Sequence, residues 1–282
     1  MWFDGPVLTL GIDLASQARD TGVCAVRWEG GTAAIVLLAV GAAGDAAFDD
    51  AWLTGAAVGG RGLPAADKVG VDAPFGWPAP FVAAVGGREP ADWPLPLGAD
   101  RAGLVRRETD RRVWLRTGKL PLSVSTDRIA YPAMRCAGLL AWWGRHLGEP
   151  VGRAGDGLAC ETYPDAVLRT LLGMPKGRAP SYKGPAEAAR ARRRELLDAL
   201  ALQGLALGAD HRAACEERDD ALDALLCAIA ARAAALGLTE RPGESERDLA
   251  DREGWIHLPT QGITLKDLLT TGSAQERKIA DA

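Results

Sequence analysis

The stretch VLTLGIDLASQARDTGVCAV, residues Val7 to Val26, decides the architecture of this chain. An apolar run that begins at Val7 leads to one carboxylate, Asp13, and a second apolar run ends at Val26 after the link 15–20. Two β-rich runs joined by a short link of Ser, Asp and Gly are typical of a hairpin. Aspartate is disfavoured in strands and is rarely buried without a partner. Asp13 therefore indicates either a ligand, such as a metal or a bound phosphate, or a cap on the backbone of the link.

The composition is that of an ordinary globular protein. The 282 residues are 48% apolar and 25% charged, which is enough apolar material for a sizeable core. The formal net charge of −4 argues against a global attraction to nucleic acid, although the distribution of charge matters more than its sum. No apolar run approaches the roughly 20 residues of a membrane span, and the first ten residues lack the features of a secretion signal. We therefore expect a cytoplasmic protein without a membrane partner.

Cysteine and histidine usage argues against a zinc site and against a histidine-based catalytic triad. The five cysteines include no C-x-x-C pair, and Cys24, Cys160 and Cys227 lie in apolar contexts that predict small core residues in a reducing compartment. None of the three histidines has a neighbour at the spacing of a zinc site. If this protein is an enzyme, carboxylates are the expected chemical groups.

The sequence pattern predicts an α/β protein. Beyond the hairpin, the pattern predicts a third strand at 32–40, a helix at 46–57 and a fourth strand at 68–74 that carries Asp72. A strand–helix–strand passage of this kind favours a right-handed crossover within one sheet. The later predicted elements are a fifth strand at 158–162, helices at 163–172, 185–202 and 216–236, and an edge strand or packed loop at 254–259.

We predict a single domain over residues 1–260 that contains an insertion at 75–152. The segment 74–98 is rich in Pro, Gly and Trp, so it predicts little regular structure. The later segment 125–146 predicts a buried helix, which makes the insertion mostly helical in its second half. Residues 261–282 are expected to form a partly ordered tail.

The late helix contains the most informative departure from an amphipathic pattern. At 100° per residue, Asp223 lies on the same face as Leu226 and Ala230, the face that should contact the core. Asp220 lies one turn earlier and can share this face. Asp219 and Asp220 can be explained by their position in the first turn, where a negative charge interacts favourably with the helix dipole. The same explanation does not apply to Asp223. Since an unpaired buried charge is costly, Asp223 indicates a functional carboxylate.

The order of these elements resembles the ribonuclease H-like superfamily, in particular the RuvC-type Holliday-junction resolvases. The shared order is a strand with Asp, a hairpin, a third strand, a helix, a strand ending in an acid, and a late D-x-x-D helix. The chain from about Leu8 to Pro259 resembles still more closely domain-of-unknown-function family 429, whose members are described as predicted nucleases of RNase H fold. The matching stretches are Gly11–Asp13, Val71–Pro74, Arg107–Asp110, Glu161–Pro164, Tyr182–Lys183 and Asp220–Leu225.

The resemblance implies an RNase H-like mixed five-stranded sheet with flanking helices and a nuclease that hydrolyses phosphodiesters. It also implies two metal ions, Mg²⁺ or Mn²⁺, because these ions prefer oxygen ligands and a pair about 4 Å apart can activate water and stabilise the leaving oxygen. Clustered carboxylates are themselves unfavourable without cations. The expected metal ligands, which would also be the catalytic residues, are Asp13, Asp72, Glu161, Asp220 and Asp223.

Two departures from the resolvases affect these roles. The resolvases carry Glu at the position of Asp72, whose shorter side chain needs a closer metal, and they have no equivalent of the insertion. Glu161 is an additional candidate ligand, although its position alone favours a surface residue at a strand–helix junction.

Two basic segments, 101–119 and 176–194, give this acidic chain candidate surfaces for phosphate. The arginines at 190–194 are better explained by a solvated helix face. The expected partner is nucleic acid, with DNA and RNA both open, and a small phosphorylated substrate and a homodimer are compatible with the sequence. The residues expected to contact substrate are Arg107, Asp110, Arg128, Tyr182 and Lys183.

Two other functions are compatible with the same residues. An actin-like or sugar-kinase-like nucleotide-binding phosphotransferase also opens with an Asp-bearing strand and a Thr-Gly hairpin. It normally needs two related domains and a second phosphate loop, and the sequence contains no second loop of that kind. A catalytically silent RNase H-like scaffold would keep the fold for binding alone.

Overall fold

A mixed five-stranded sheet lies at the centre of the computed structural model, which describes residues 6–87, 93, 101–177 and 179–270. The strands are β1 (Val7–Asp13), β2 (Gly22–Glu29), β3 (Thr32–Val40), β4 (Ala42–Ala43), β5 (Ala46–Ala47), β6 (Lys68–Asp72) and β7 (Ala159–Glu161). The strand order of the central sheet is β3-β2-β1-β6-β7; the first three strands are antiparallel, and β1, β6 and β7 are parallel. The strands β4 and β5 form a separate two-residue pair. The predicted mixed sheet is therefore confirmed.

Helices cover both faces of this sheet. The helices labelled here are α1 (Asp50–Ala57), α2 (Ala79–Gly86), α3 (Arg101–Val105), α4 (Glu108–Thr117), α5 (Ala130–Leu147), α6 (Pro164–Leu171), α7 (Glu187–Leu202), α8 (Ala209–Glu217), α9 (Asp219–Ala235) and α10 (Arg247–Glu253). The helices α1 and α5 pack on one face of the sheet, and α6, α7, α8 and α9 pack on the other. Within the described ranges, no helix combines the length and the apolarity needed to cross a lipid bilayer.

Several helices begin where the sequence pattern did not predict them. Helix α1 begins at Asp50 rather than at residue 46, because the Asp49 carboxylate caps it by accepting the Trp52 backbone N–H at 2.7 Å. Helix α2 lies within the segment predicted to be irregular, and Pro80 is tolerated in its first turn, where no intrahelical N–H bond is lost. A separate α8 precedes α9, so the late helix begins at Asp219 rather than at residue 216.

The alternation of side chains along β1 decides which face receives Asp13. Leu8, Leu10 and Ile12 belong to the core beneath α1 and α5. Val7 belongs to the core on the opposite face, beneath α9. Because successive side chains of a strand point to opposite faces, Asp13 shares the α9 face with Val7.

Helix α9 lies very close to the sheet because three glycines face it. A methyl group at Gly11, Gly22 or Gly70 would lie 2.0, 2.4 or 2.3 Å from a backbone carbonyl oxygen of α9. Such distances are far below van der Waals contact, so the close approach requires glycine. Every residue from Ala221 to Ala234 is buried in consequence. This arrangement brings Asp223 against the ends of β1 and β6.

The far edge of the sheet is completed by an irregular segment rather than by a sixth strand. Ile256 forms a single bridge with Glu161, and Pro259 forms one with Thr239. Of the two alternatives expected for 254–259, an edge strand or a packed loop, the structure shows a packed segment with isolated bridges. In the predicted tail, residues 265–270 are helical, and residues 271–282 lie outside the described part of the chain.

Candidate metal centre

Three carboxylates converge where β1, β6 and α9 meet. One oxygen atom from each of Asp13, Asp72 and Asp223 lies within 4.8 Å of the others. Asp13 and Asp72 are the last residues of two adjacent parallel strands and are paired in register. Asp223 lies in the second turn of α9 and is fully buried. This buried acidic triad could hold a metal ion.

Burial opposes the ionisation of two of these carboxylates, and repulsion by Asp72 adds to this effect at Asp13. Burial, and then the charge of Asp72, raise the pKa of Asp13 well above its usual range. Burial also raises the pKa of Asp72 to about 6, although the positive charge of Lys183 opposes this shift. Crowded carboxylates of this kind are stabilised by a cation, which replaces protons as the balancing positive charge.

Two residues of the loop before α7 contact the third carboxylate. The Tyr182 hydroxyl donates a hydrogen bond of 2.7 Å to Oδ1 of Asp223. The Nζ atom of Lys183 forms an ion pair with Oδ2 of the same residue. Tyr182 is buried, whereas 45% of the Lys183 side chain is exposed. Both residues were predicted to contact substrate, and the structure brings both to the carboxylates.

A buried arginine fixes this loop in place. Nη1 of Arg193 donates to the backbone carbonyls of Tyr182 and Gly184 at 2.6 and 3.0 Å. Its other nitrogens donate to the carbonyls of Glu216 and Glu217 at the end of α8. The assignment of residues 190–194 to a solvated face is therefore wrong for Arg193, because its guanidinium supplies the donors that these carbonyls need.

Glu161 does not join the cluster. Its register partner in β6 is Val71 rather than Asp72, so its side chain points to the opposite face of the sheet. Its two oxygens accept hydrogen bonds of 2.7 and 2.8 Å from Arg107, and one also accepts the Phe75 N–H at 2.9 Å. Its predicted role as a metal ligand therefore has no support in this geometry.

Arg107 and Asp110 form a buried ion pair instead of an exposed substrate contact. Nη2 of Arg107 lies 2.8 Å from Oδ1 of Asp110, and Nε lies 3.2 Å from Oδ2. Its remaining donors bind Glu161 and the backbone carbonyl of Glu253. Because all five N–H groups of this guanidinium are used, the geometry gives no support to the prediction that Arg107 and Asp110 contact substrate.

Two more predicted residues lie outside the group of three. Asp220 pairs with Arg218 at 2.7 Å in the first turn of α9. Its charge adds to the raised pKa of Asp13, after burial and Asp72, so it lies near the cluster without being part of it. Arg128 is exposed and, in the part of the chain that the structure describes, does not contact the three carboxylates.

Sequence reasoning missed two residues beside the cluster. Asp165 is buried and pairs with Arg169 at 3.0 Å and with Lys119 at 3.2 Å. After burial, the charges of Asp165 and Asp72 are the main causes that raise the pKa of Tyr163. The signal that could have found both is the stretch beginning at Glu161, where a Tyr-Pro-Asp sequence directly follows a core strand.

Comparison with known proteins identifies a family to which this chain is similar. The family model described as "Protein of unknown function (DUF429)" matches residues 11–247, which include all three carboxylates. No curated protein and no solved structure matches the chain. Since the matched region covers most of its length, the chain belongs to the DUF429 family.

Proposed function

We propose that this protein is a metal-dependent phosphodiester hydrolase and, more specifically, a nuclease. The observation that carries the proposal is the convergence of Asp13, Asp72 and Asp223 from three separate elements to within 4.8 Å. A fold gains no stability from clustering like charges on core elements, so such a cluster suggests selection for a bound cation.

The donor set fits a hard divalent cation such as Mg²⁺ or Mn²⁺. The group consists of carboxylates alone, and both ions favour carboxylate oxygens. A positive charge already lies on this site, because the Lys183 ammonium pairs with Asp223. When bound, the metal would supply Lewis-acid activation of the phosphate and of a water molecule.

The residues of the site have different roles in this proposal. Asp13, Asp72 and Asp223 would hold the metal, and Asp13 and Asp72 would first release protons because their pKa values are raised. Tyr182 fixes the orientation of Asp223 by donating to Oδ1 and leaves Oδ2 for a cation. The half-exposed ammonium of Lys183 is available to an anionic phosphate that enters from solvent.

We also infer that the fold is RNase H-like, and the order of elements supports this inference. It runs from an Asp-bearing strand through a hairpin, a third strand, a helix and an acid-ended strand to a helix carrying Asp220 and Asp223. The described residues form one five-stranded sheet and one two-residue pair, which does not favour the two related domains of an actin-like phosphotransferase.

A second candidate function is hydrolysis of a small phosphate ester, which the pairing of the basic segments favours. Arginines that are paired with glutamates attract a polyanion less than free arginines do. The observed pairs on α4 and α7 are Arg111–Glu108, Arg112–Glu246, Arg116–Glu240, Arg190–Glu217, Arg192–Glu195 and Arg194–Glu187.

Hydrolysis assays with labelled DNA, labelled RNA and bis(p-nitrophenyl) phosphate test both candidates. We expect turnover that requires Mn²⁺ or Mg²⁺, stops in chelator and is lost in Asp72→Asn. The matched control is Asp45→Asn, because Asp45 is exposed between β4 and β5 and should retain full activity. Turnover that persists in chelator, or in Asp72→Asn, would overturn the proposal, and turnover of the small ester alone would select the second candidate.

A further inference from the structure

Lys183 lies where a second cation would balance the charge of the carboxylate cluster. Its Nζ atom pairs with Oδ2 of Asp223, the oxygen that Tyr182 leaves free. One oxygen of each of Asp13, Asp72 and Asp223 lies within 4.8 Å of the others, so this ammonium lies beside the whole cluster. One ammonium group therefore acts on all three carboxylates.

The two other predicted metal ligands, Glu161 and Asp220, are engaged by other groups. Both oxygens of Glu161 bind Arg107, and Asp220 binds Arg218. A pair of metal ions needs several oxygen ligands for each ion, and these two residues were the candidates for the additional ligands. Three carboxylates and one ammonium carry two net negative charges, which a single divalent ion neutralises.

The position of Lys183 is built into the fold. The residues on either side of it are Tyr182 and Gly184, and the carbonyls of both accept hydrogen bonds from the buried Arg193. The Gly184 N–H also donates to Oδ1 of Asp219 at 3.2 Å, which ties the loop to the start of α9. The backbone of Lys183 is thus held on both sides beside Asp223.

We propose that the Lys183 ammonium takes the place of a second metal ion, so that Asp13, Asp72 and Asp223 together hold one divalent ion. This inference rests on the proposed metal-dependent function and replaces the two ions that the family resemblance implies. In this arrangement Lys183 stays on Asp223 when the metal binds. The resulting centre combines one metal ion and one ammonium against the same phosphate group.

The number of Mn²⁺ ions bound per chain tests this proposal without any activity measurement. Free Mn²⁺ is followed by electron paramagnetic resonance during titration of the full chain. We expect one ion for wild type, one for Lys183→Arg, which keeps the charge, and two for Lys183→Met, which removes it. The matched control is Lys176→Met in the same loop, an exposed lysine that should leave the count at one.

Each result of the titration is decisive. Two ions in wild type would overturn the proposal even if no variant folds, because the count in wild type needs no substitution. A count of one in a folded Lys183→Met would also overturn it, since the ammonium would then not be what excludes the second ion. No bound Mn²⁺ in wild type would instead remove the metal centre itself, which separates failure of the proposed function from failure of this inference.

Discussion

Asp13 ends a core strand with its carboxylate beside two others, and this crowding is unfavourable in the metal-free protein. Asp13→Asn removes one like charge at almost constant volume. We expect its melting temperature in chelator to equal or exceed that of wild type, and we expect the stabilisation by Mn²⁺ to disappear. Thermal melts of both proteins, with chelator and with Mn²⁺, measure the two effects together.

The alternative for Asp13, a cap on the link 15–20, predicts the opposite result. A carboxylate that accepts backbone N–H bonds would make the same substitution cost about 1–3 kcal/mol. In the described part of the chain, no backbone N–H of this link donates to the Asp13 carboxylate. A variant that melts well below wild type in chelator, yet still gains stability from Mn²⁺, contradicts the role of Asp13 as a ligand.

The raised pKa of Asp72 makes the stability of the metal-free protein depend on pH. Its pKa is about 6 in the folded state against an ordinary 3.8, so the folded protein binds the proton more tightly than the unfolded chain. The resulting stability is fully present below the ordinary pKa and is lost as pH rises through about 6. Metal binding, which needs the ionised carboxylate, should strengthen over the same window.

Denaturant titrations in chelator at about pH 5 and about pH 7.5 measure this dependence. We expect the free energy of unfolding of wild type to fall between the two values by more than that of Asp72→Asn. Asp72→Asn is the control because it cannot titrate at this position. An equal pH dependence in the two proteins would show that Asp72 does not carry the effect.

The three converging carboxylates were predictable because each lies at a position where the local pattern predicts an apolar core residue. A carboxylate at such a position indicates a function. The role of Glu161 was not predictable, because a three-residue strand gives no alternation from which its face can be read. Its partner Arg107 lies 54 positions away in the chain, and only the tertiary structure brings them together. The same limit applies to Lys183, whose charge marked it as a phosphate contact without indicating its ion pair with Asp223.

At the scale of elements, the contact between α9 and the sheet positions Asp223, and glycines make this contact possible. A methyl group at Gly11 would lie 2.0 Å from the carbonyl oxygen of Ala224. Gly11→Ala must therefore shift α9 away from β1, and overpacking of this kind costs about 1–3 kcal/mol or more. We expect lower stability in denaturant titrations together with weaker Mn²⁺ binding, since Asp223 moves with the helix.

Gly138→Ala is the matched control for this prediction. Gly138 lies in α5 with open space where a methyl group would be, and alanine there should raise stability by up to about 1 kcal/mol. Its Mn²⁺ binding should equal that of wild type. A Gly11→Ala protein with normal stability and normal Mn²⁺ binding would show that the glycine contact does not position Asp223.

The elements themselves were predictable to different degrees, for physical reasons. The third strand has the predicted bounds, 32–40, because Gly residues precede and follow a clean β pattern. Helix α2 was missed because Pro and Gly outweigh a short apolar turn in any local pattern. Helix α8 was missed too, because Cys215 is the one buried residue among its nine, so its sequence lacks an apolar face.

At the scale of the whole molecule, the buried Arg107 network joins the helical segment after β6 to the rest of the fold. Arg107 precedes α4 and bonds to Glu161 of β7 and to the backbone of Glu253 in α10. Glu161→Gln removes one of the two carboxylates that balance this buried guanidinium. We expect a loss of about 2–3 kcal/mol in the free energy of unfolding, with Mn²⁺ affinity unchanged.

Asp72→Asn supplies the reciprocal comparison for Glu161→Gln. It should abolish Mn²⁺ binding without lowering stability in chelator, because it relieves repulsion rather than breaking an ion pair. The same denaturant and Mn²⁺ titrations serve both proteins. A Glu161→Gln variant that keeps its stability and loses Mn²⁺ binding would restore the original prediction that Glu161 is a ligand.

The distribution of charge over the molecule sets the expected dependence of nucleic-acid binding on salt. Each phosphate contact contributes a slope of about −0.7 to −0.9 in a plot of log affinity against log salt. Because the arginines of α4 and α7 are largely paired with glutamates, we expect a slope no steeper than about −2, corresponding to two contacts or fewer. Binding of labelled DNA and RNA to inactive Asp72→Asn, between about 50 and 200 mM salt, gives this slope.

A matched pair of variants tests whether the surface of α7 contacts the bound nucleic acid. Glu187→Gln frees Arg194 from its ion pair, and Arg194→Gln removes the cation altogether. If α7 faces the nucleic acid, the first change steepens the salt dependence by about one contact and the second does not. Equal slopes for both variants would place the bound phosphates elsewhere on the protein, for example at Lys183, whose ammonium lies beside the carboxylates. A slope near −4 or steeper in the parent protein would contradict the expectation, because it would require the paired arginines to exchange their glutamates for phosphates.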